Sequence, residues 1–347
     1  MKASSELDTL RRLSAAIGVD PALTQAAGGN TSIKLDGIMW IKASGTWLAH
    51  ARDRDIFVPV KVDLLRRGME RNDPSCETCV DYVDQELNVS NLRPSVETTV
   101  HGIMPQKVVV HVHCVETIAW AVRGDAEEVI APLLAPFSWV LVPYARPGLP
   151  LANAMKERLR PGDDVVVLGN HGLVVAAETV SDADRLLREI TRALRRSIRP
   201  SPVPDTDALG EMAKTSSYRL PVDDHVHAVA MDPVSLHHAR KGSLYPDHVV
   251  FLGPGVFVLA PDEALTQGLS RARREGLGEP PIVLVPDKGV LVHRQAVAAV
   301  EPMGRCLANI TARIGPDEPV RPLSDRDVDA LVNWDAEKYR QALARNA

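Results

Sequence analysis

Residues 107–114 read KVVVHVHC, and no other run restricts this chain as tightly. Val108, Val109, Val110 and Val112 are β-branched, and the run is too short for a buried helix, so it is expected to form a strand packed on both faces. Side chains at i and i+2 leave a strand from one face, which brings the imidazoles of His111 and His113 to a single point. That is good geometry for a divalent cation. Taken alone it is equally good for two core histidines whose ring nitrogens find partners inside the protein.

A catalytic zinc ion typically takes three protein ligands and keeps one position open, so a third donor is required. His171 is the candidate. It lies in Gly169-Asn170-His171-Gly172, a glycine-flanked turn between two apolar runs, where the backbone can be shaped to aim the ring at a neighbouring strand. A second HxH, His225-Val226-His227, and the pair His237-His238 lie in polar or helical surroundings with no strand to present them, and the reading there is structural.

Glu97 precedes the strand in PSVETTVHGIMP, which is expected to open a helix with Ser95 as its cap. A carboxylate in a first helical turn complements the dipole, and beside a metal it can also act as general acid/base or as a departing ligand. Two small-residue turns, Gly28-Gly29-Asn30-Thr31-Ser32 and Ser44-Gly45-Thr46, bracket a hairpin marked by Asp36-Gly37. Such turns expose amides and hydroxyls that can cradle a phosphate, although ordinary turn chemistry explains them as well. Neither is a Walker A loop, and no GxGxxG follows a predicted strand.

Periodicity predicts an amphipathic helix over 6–17, a helix over 60–70, strands over 139–142, 165–168 and 173–176, and a long helix over 181–198. RPSPVPD at 199–205 packs three prolines into seven residues and reads as a linker between a domain at 1–200 and an accessory α/β domain at 206–347. In the latter, strands are expected at 248–252, 256–260 and 282–286, alternating with helices at 261–275 and 297–314.

With 347 residues, 45% of them hydrophobic, the chain can bury a sizeable core, and a formal net charge of -5 argues against nucleic acid or an anionic bilayer as partner. No stretch reaches the roughly 18 apolar residues of a membrane span, and the charged start does not resemble a signal peptide. Four cysteines make no disulfide framework, and together these features predict a cytoplasmic protein. Cys76-Glu77-Thr78-Cys79 lacks the second pair that a zinc knuckle needs.

With AAGGNTSIK, WIKASGTWL, PSVET, VVVHVHC and GNHGL in this order, residues 6–200 resemble the class II aldolase/adducin family, which includes fuculose-phosphate and rhamnulose-phosphate aldolases. The resemblance implies a three-layer α/β/α domain around a central, mainly antiparallel sheet, usually assembled as a tetramer. It implies zinc, or another divalent metal, on His111, His113 and His171, with Glu97 as catalytic acid/base. Gly28, Asn30, Ser44, Gly45 and Ser95 map onto the residues that bind the substrate phosphate. The implied reaction is cleavage of a ketose, as its 1-phosphate, to dihydroxyacetone phosphate and an aldehyde.

Sugar-phosphate 4-epimerases, dehydratases and decarboxylases would use the same metal site, and the adducin head shares the fold as a non-enzymatic scaffold. The stretch from Glu97 to His111 is shorter than in the fuculose enzyme, and the tyrosine that serves there as second acid/base has no match. Beyond residue 205, LYPDHVVFLGPG and NWDAEKYRQAL are similar to the segment following the aldolase domain of bifunctional rhamnulose-phosphate aldolase/dehydrogenase proteins, without their dehydrogenase half.

Overall fold

The apolar runs at 108–112, 139–142, 165–168 and 173–176 form strands and the runs with three- and four-residue apolar spacing form helices in the computed structural model, which describes residues 2–335, 338 and 343. The chain divides into two units, one comprising Met1–Ala121 and Ala126–Arg195, the other Val122–Asp125 and Arg196–Ala347.

The first unit contains helix α1 (Lys2–Gly18), strands β1 (Asn30–Leu35), β2 (Ile38–Lys42) and β3 (Phe57–Lys61), helices α2 (Val62–Glu70) and α3 (Thr98–Ile103), and strand β4 (Val108–Val112). Helices α4 (Val115–Ala121) and α5 (Ala126–Ile130), strand β5 (Trp139–Val142), helix α6 (Leu149–Arg158), strands β6 (Val165–Leu168) and β7 (Gly172–Ala177), and helix α7 (Val180–Ala193) complete it. The strands make one sheet in the order β3-β2-β1-β4-β7-β6-β5. All neighbours pair antiparallel except β5 and β6.

β4 lies in the middle, paired with β1 on one side and β7 on the other, and every one of its residues is buried. That burial on both faces is the reason its sequence is apolar throughout rather than alternating. On one face of the sheet Val108, Val110 and Val112 pack with Leu10, Leu13 and Ile17 of α1 and Ala183, Leu187 and Ile190 of α7. On the other, Val109 meets Val100 of α3 and Leu151 and Met155 of α6, while Met39, Ile41 and Val60 meet Leu65 of α2. The result is the three-layer α/β/α arrangement around a mainly antiparallel sheet.

The second unit has helix α8 (Thr206–Lys214), strand β8 (Tyr218–Arg219), helices α9 (Ala228–Met231), α10 (Pro233–Arg240) and α11 (Pro246–Leu252), and strand β9 (Phe257–Val258). Helix α12 (Leu265–Arg274), strands β10 (Ile282–Val285) and β11 (Gly289–His293), and helices α13 (Val300–Thr311) and α14 (Asp325–Val332) follow. Its sheet runs β8-β11-β10-β9, with β9 and β10 parallel. Most of NWDAEKYRQAL lies outside the described residues.

Several local expectations are corrected. The strand expected at 248–252 is helix α11: Pro246 stands in its first turn, and all seven residues are buried, so a β-branched run surrounded by protein carries no period to separate the two forms. Val60 and Lys61, expected in a helix, end β3, and the helix begins at Val62. The helix expected over 181–198 stops at Ala193, and 195–205 carries neither helix nor strand. Within it Arg199 donates to Asp232 Oδ2 at 2.8 and 2.9 Å. Ser95 does not cap α3 in the usual way; Glu97 holds the cap position, and the Ser95 hydroxyl accepts from Glu97 N–H at 3.2 Å.

Candidate metal centre

His111 sits on β4 one residue before its end, and His113 follows just past it on the same side, with ring centroids 5.0 Å apart. β6 and β7 form a hairpin in which Leu168 pairs with Gly172, and the three-residue turn between them carries His171. Since β7 also pairs with β4, Val174 opposite His111, the turn comes to rest beside the end of β4. The His171 ring centroid lies 4.9 Å from that of His111 and 5.2 Å from that of His113.

Two glycines permit this approach. A Cβ on Gly172 would stand 2.4 Å from Val112 O, and one on Gly29, at φ 69°, would stand 2.9 Å from His111 O. Asn170 takes the left-handed conformation at φ 52°, which asparagine tolerates better than most residues.

Glu97 enters from the start of α3. Its carboxylate lies 3.4 Å from His111 Nε2 and 3.3 Å from His171 Nε2, and His113 Nε2 is 3.2 Å from His111 Nε2. Burial raises the Glu97 pKa, but the surrounding imidazoles of His111, His171 and His113 outweigh it and bring the group down to about 2, so it is a carboxylate at neutral pH. His111 Nδ1 donates to Leu173 O at 3.1 Å, which turns Nε2 towards the cluster, where it offers a lone pair when the ring is neutral.

One ligand atom from each of Glu97, His111, His113 and His171 lies within 4.8 Å of the others, and all four residues are buried. Three imidazole nitrogens and a carboxylate oxygen form a donor set that suits zinc and its first-row neighbours, and a buried carboxylate among converging lone pairs is satisfied by a cation between them. It is the one such group among the described residues.

The residues mapped to phosphate binding lie around the same end of the sheet. Asn30 Nδ2 donates to Glu97 Oε2 at 2.6 Å. Gly28 N–H is taken by Gln25 O at 2.8 Å. Ser44 N–H is taken by Arg93 O at 3.0 Å, and the Ser44 hydroxyl is buried without a partner. Gly45 has φ 74°, and Ser95 N–H donates to Lys42 O at 3.1 Å. Lys42 escaped notice in the sequence. It is 1% exposed, and its ammonium donates to Ala27 O and Thr46 O, at 2.7 Å each, bracing the two turns against one another.

Residues 12–198 match the family profile described as class II aldolase and adducin N-terminal domain, which is more than half of the chain. The chain belongs to this family. Within the matched range lie all the site residues named above. YuxG of Bacillus subtilis (strain 168), described as an uncharacterized oxidoreductase, is 31% identical to this class II aldolase/adducin chain over 176 residues. The match takes in 47% of this chain and 25% of YuxG, so the chain spans a quarter of that relative's length.

Among solved structures, the N-terminal class II aldolase domain of a conserved protein from Thermoplasma acidophilum is 29% identical. It covers 55% of this chain and 92% of that one, with a TM-score of 0.48. L-fuculose-1-phosphate aldolase from Thermus thermophilus is 18% identical, with coverage of 56% and 93% and a TM-score of 0.37.

The other histidines and the CxxC pair do not join the centre. His225 pairs with Asp223 at the surface, His227 Nδ1 accepts from Val290 N–H, and His238 Nε2 lies 2.8 Å from Gly315 O. Cys76 and Cys79 are buried, and burial pushes both thiols up, as expected of packing cysteines. No helix among the described residues is long and apolar enough to cross a membrane.

Proposed function

We propose that this chain is a metal-dependent aldolase that cleaves a ketose 1-phosphate to dihydroxyacetone phosphate and an aldehyde. The observation that carries this reading is the convergence of His111, His113 and His171 on the Glu97 carboxylate in a buried cluster of the family domain. Bound there, a divalent cation, zinc in this reading, would polarise the carbonyl and adjacent hydroxyl oxygens of the sugar.

Glu97 exchanges a proton with the substrate carbon next to the carbonyl: its carboxylate removes that proton in the condensation direction, and its protonated form delivers one as the carbon–carbon bond breaks. Asn30 holds one carboxylate oxygen, fixing the direction of the other. The two turns braced by Lys42, with Ser44, Gly45 and Ser95, hold the phosphate at the far end of the substrate, and Gly28 shapes the first of them. Assembly as a tetramer belongs to the same reading. The base that takes the proton from the hydroxyl of the carbon released as the aldehyde is left to a residue outside these.

The test has two stages. Metal content of the purified chain is compared with that of a His111→Ala, His113→Ala variant; about one ion per chain, absent from the variant, supports the site. Sugar phosphates are then screened for carbon–carbon cleavage, epimerisation, water loss and carbon dioxide release. Cleavage supports the aldolase reading, and any of the others replaces it. A chain that takes up no zinc overturns the catalytic reading in favour of a scaffold.

A further inference from the structure

Asn30, Ser32 and Lys34 leave β1 from one face at two-residue intervals, and each meets a different level of α3. At the helix start Asn30 Nδ2 donates to Glu97 Oε2. One turn on, Ser32 Oγ lies 2.8 Å from His101 Nδ1. Beyond the helix end, Lys34 Nζ donates to Met104 O at 2.9 Å and Gln106 O at 2.7 Å. From α2, Arg66 adds bonds to Gly102 O and Met104 O at 2.8 and 3.1 Å.

α3 has six residues, too few to hold its own shape; Arg66 takes one of its terminal carbonyls, Gly102 O, and Lys34 ties down the chain just beyond it at Met104 O and Gln106 O. Ser32 and His101 are both 0% exposed, so loss of either leaves the other a buried polar group without its protein partner. His101 N–H donates to Glu97 O at 3.3 Å, so the imidazole held by Ser32 and the Glu97 peptide are joined through a single helical turn.

We propose that Ser32 and Lys34 are positioning residues for Glu97: the row on β1 fixes the height and rotation of α3, and the Ser32–His101 contact sets where the Glu97 carboxylate stands relative to His111 and His171. This rests on the acid–base role of Glu97 argued above. A shift of about 1 Å in a reacting group costs on the order of 100-fold in rate, and contacts of 3.3 and 3.4 Å leave no slack for it.

The test uses the full chain loaded with zinc and dihydroxyacetone phosphate as probe, following by NMR the exchange of its carbon-bound hydrogen with D2O. Ser32→Ala is expected to remain folded, with a thermal midpoint lowered by loss of the buried bond, and to keep the zinc content and KM of the wild type while exchange slows roughly 10-fold or more. Ser32→Thr, which keeps the hydroxyl, restores the rate. A Ser32→Ala, His101→Gln double variant exchanges no more slowly than His101→Gln alone, because the two groups act as one unit. If Ser32→Ala does not fold, Lys34→Met is judged by the same criteria.

Glu97→Gln separates the two levels of the argument. If it loses exchange while Ser32→Ala and Lys34→Met run at the wild-type rate, or if those variants lose zinc in step with rate, positioning is overturned and the role of Glu97 stands. If Glu97→Gln exchanges freely, or the wild type does not exchange at all, the acid–base reading falls and the positioning proposal falls with it.

Discussion

Asn30 Nδ2 donates to Glu97 Oε2 at 2.6 Å, joining the first residue of β1 to the residue that opens α3, 67 positions later in the chain. The bond fixes one oxygen of a carboxylate that the neighbouring imidazoles hold ionised. Asn30→Ala is expected to lower kcat roughly 10- to 100-fold with little change in zinc content, because it frees the carboxylate without removing a ligand. Steady-state kinetics beside metal analysis checks this; zinc loss in proportion to rate would assign Asn30 to metal retention instead.

A divalent cation at the proposed site, supplied as zinc, should stabilise the fold. Glu97, His111, His113 and His171 come together only in the folded chain, so a ligand there binds the native state alone. At a free concentration 100 times Kd the gain is about 2.7 kcal/mol, visible as a rise in Tm that a chelator reverses. The His111→Ala, His113→Ala variant should show no rise.

Gly172→Ala should be severe. The added Cβ would lie 2.4 Å from Val112 O, and relief requires the β6–β7 turn to back away from β4, carrying His171 with it. A loss of about 1–3 kcal/mol in denaturant unfolding is expected, together with weaker zinc binding. Full stability with lost zinc would indicate that the turn moves freely.

Lys34 supplies a pH dependence. Burial, and secondarily the Arg66 charge, lowers its pKa from 10.5 to about 7. Between these values the unfolded chain binds a proton that the folded chain releases, so this group makes stability rise as pH increases from about 7 towards 10.5, with its full penalty present below 7. Urea unfolding across that range, wild type against Lys34→Met, isolates the contribution. The wild type should gain stability relative to the variant as pH rises; parallel curves would place the ammonium in water.

Lys42→Met should act on substrate binding more than on chemistry. The ammonium holds Ala27 O and Thr46 O together, and its loss lets the two turns separate. KM for a phosphorylated substrate is expected to rise at least several-fold, more than kcat falls, since the Asn30–Glu97 bond does not itself involve the ammonium. An unchanged KM would remove these turns from phosphate binding.

The amino-acid sequence determined β4 and its paired histidines, because a two-residue period and a β-branched run are local properties. It also determined the Asp36-Gly37 hairpin, where Asp36 and Gly37 take φ of 50° and 80° as such a turn requires. The motif order carried the family. Only the tertiary structure decided that the 169–171 turn lies beside the end of β4, since strand order β4-β7-β6 is written in no segment by itself. It also decided that Ser32 and His101 meet, and that Lys42 is buried under two turns rather than exposed on an edge. Strand and helix remained indistinguishable at 246–252, because periodicity reports the contrast between a wet and a dry face, and a segment buried on all sides has none.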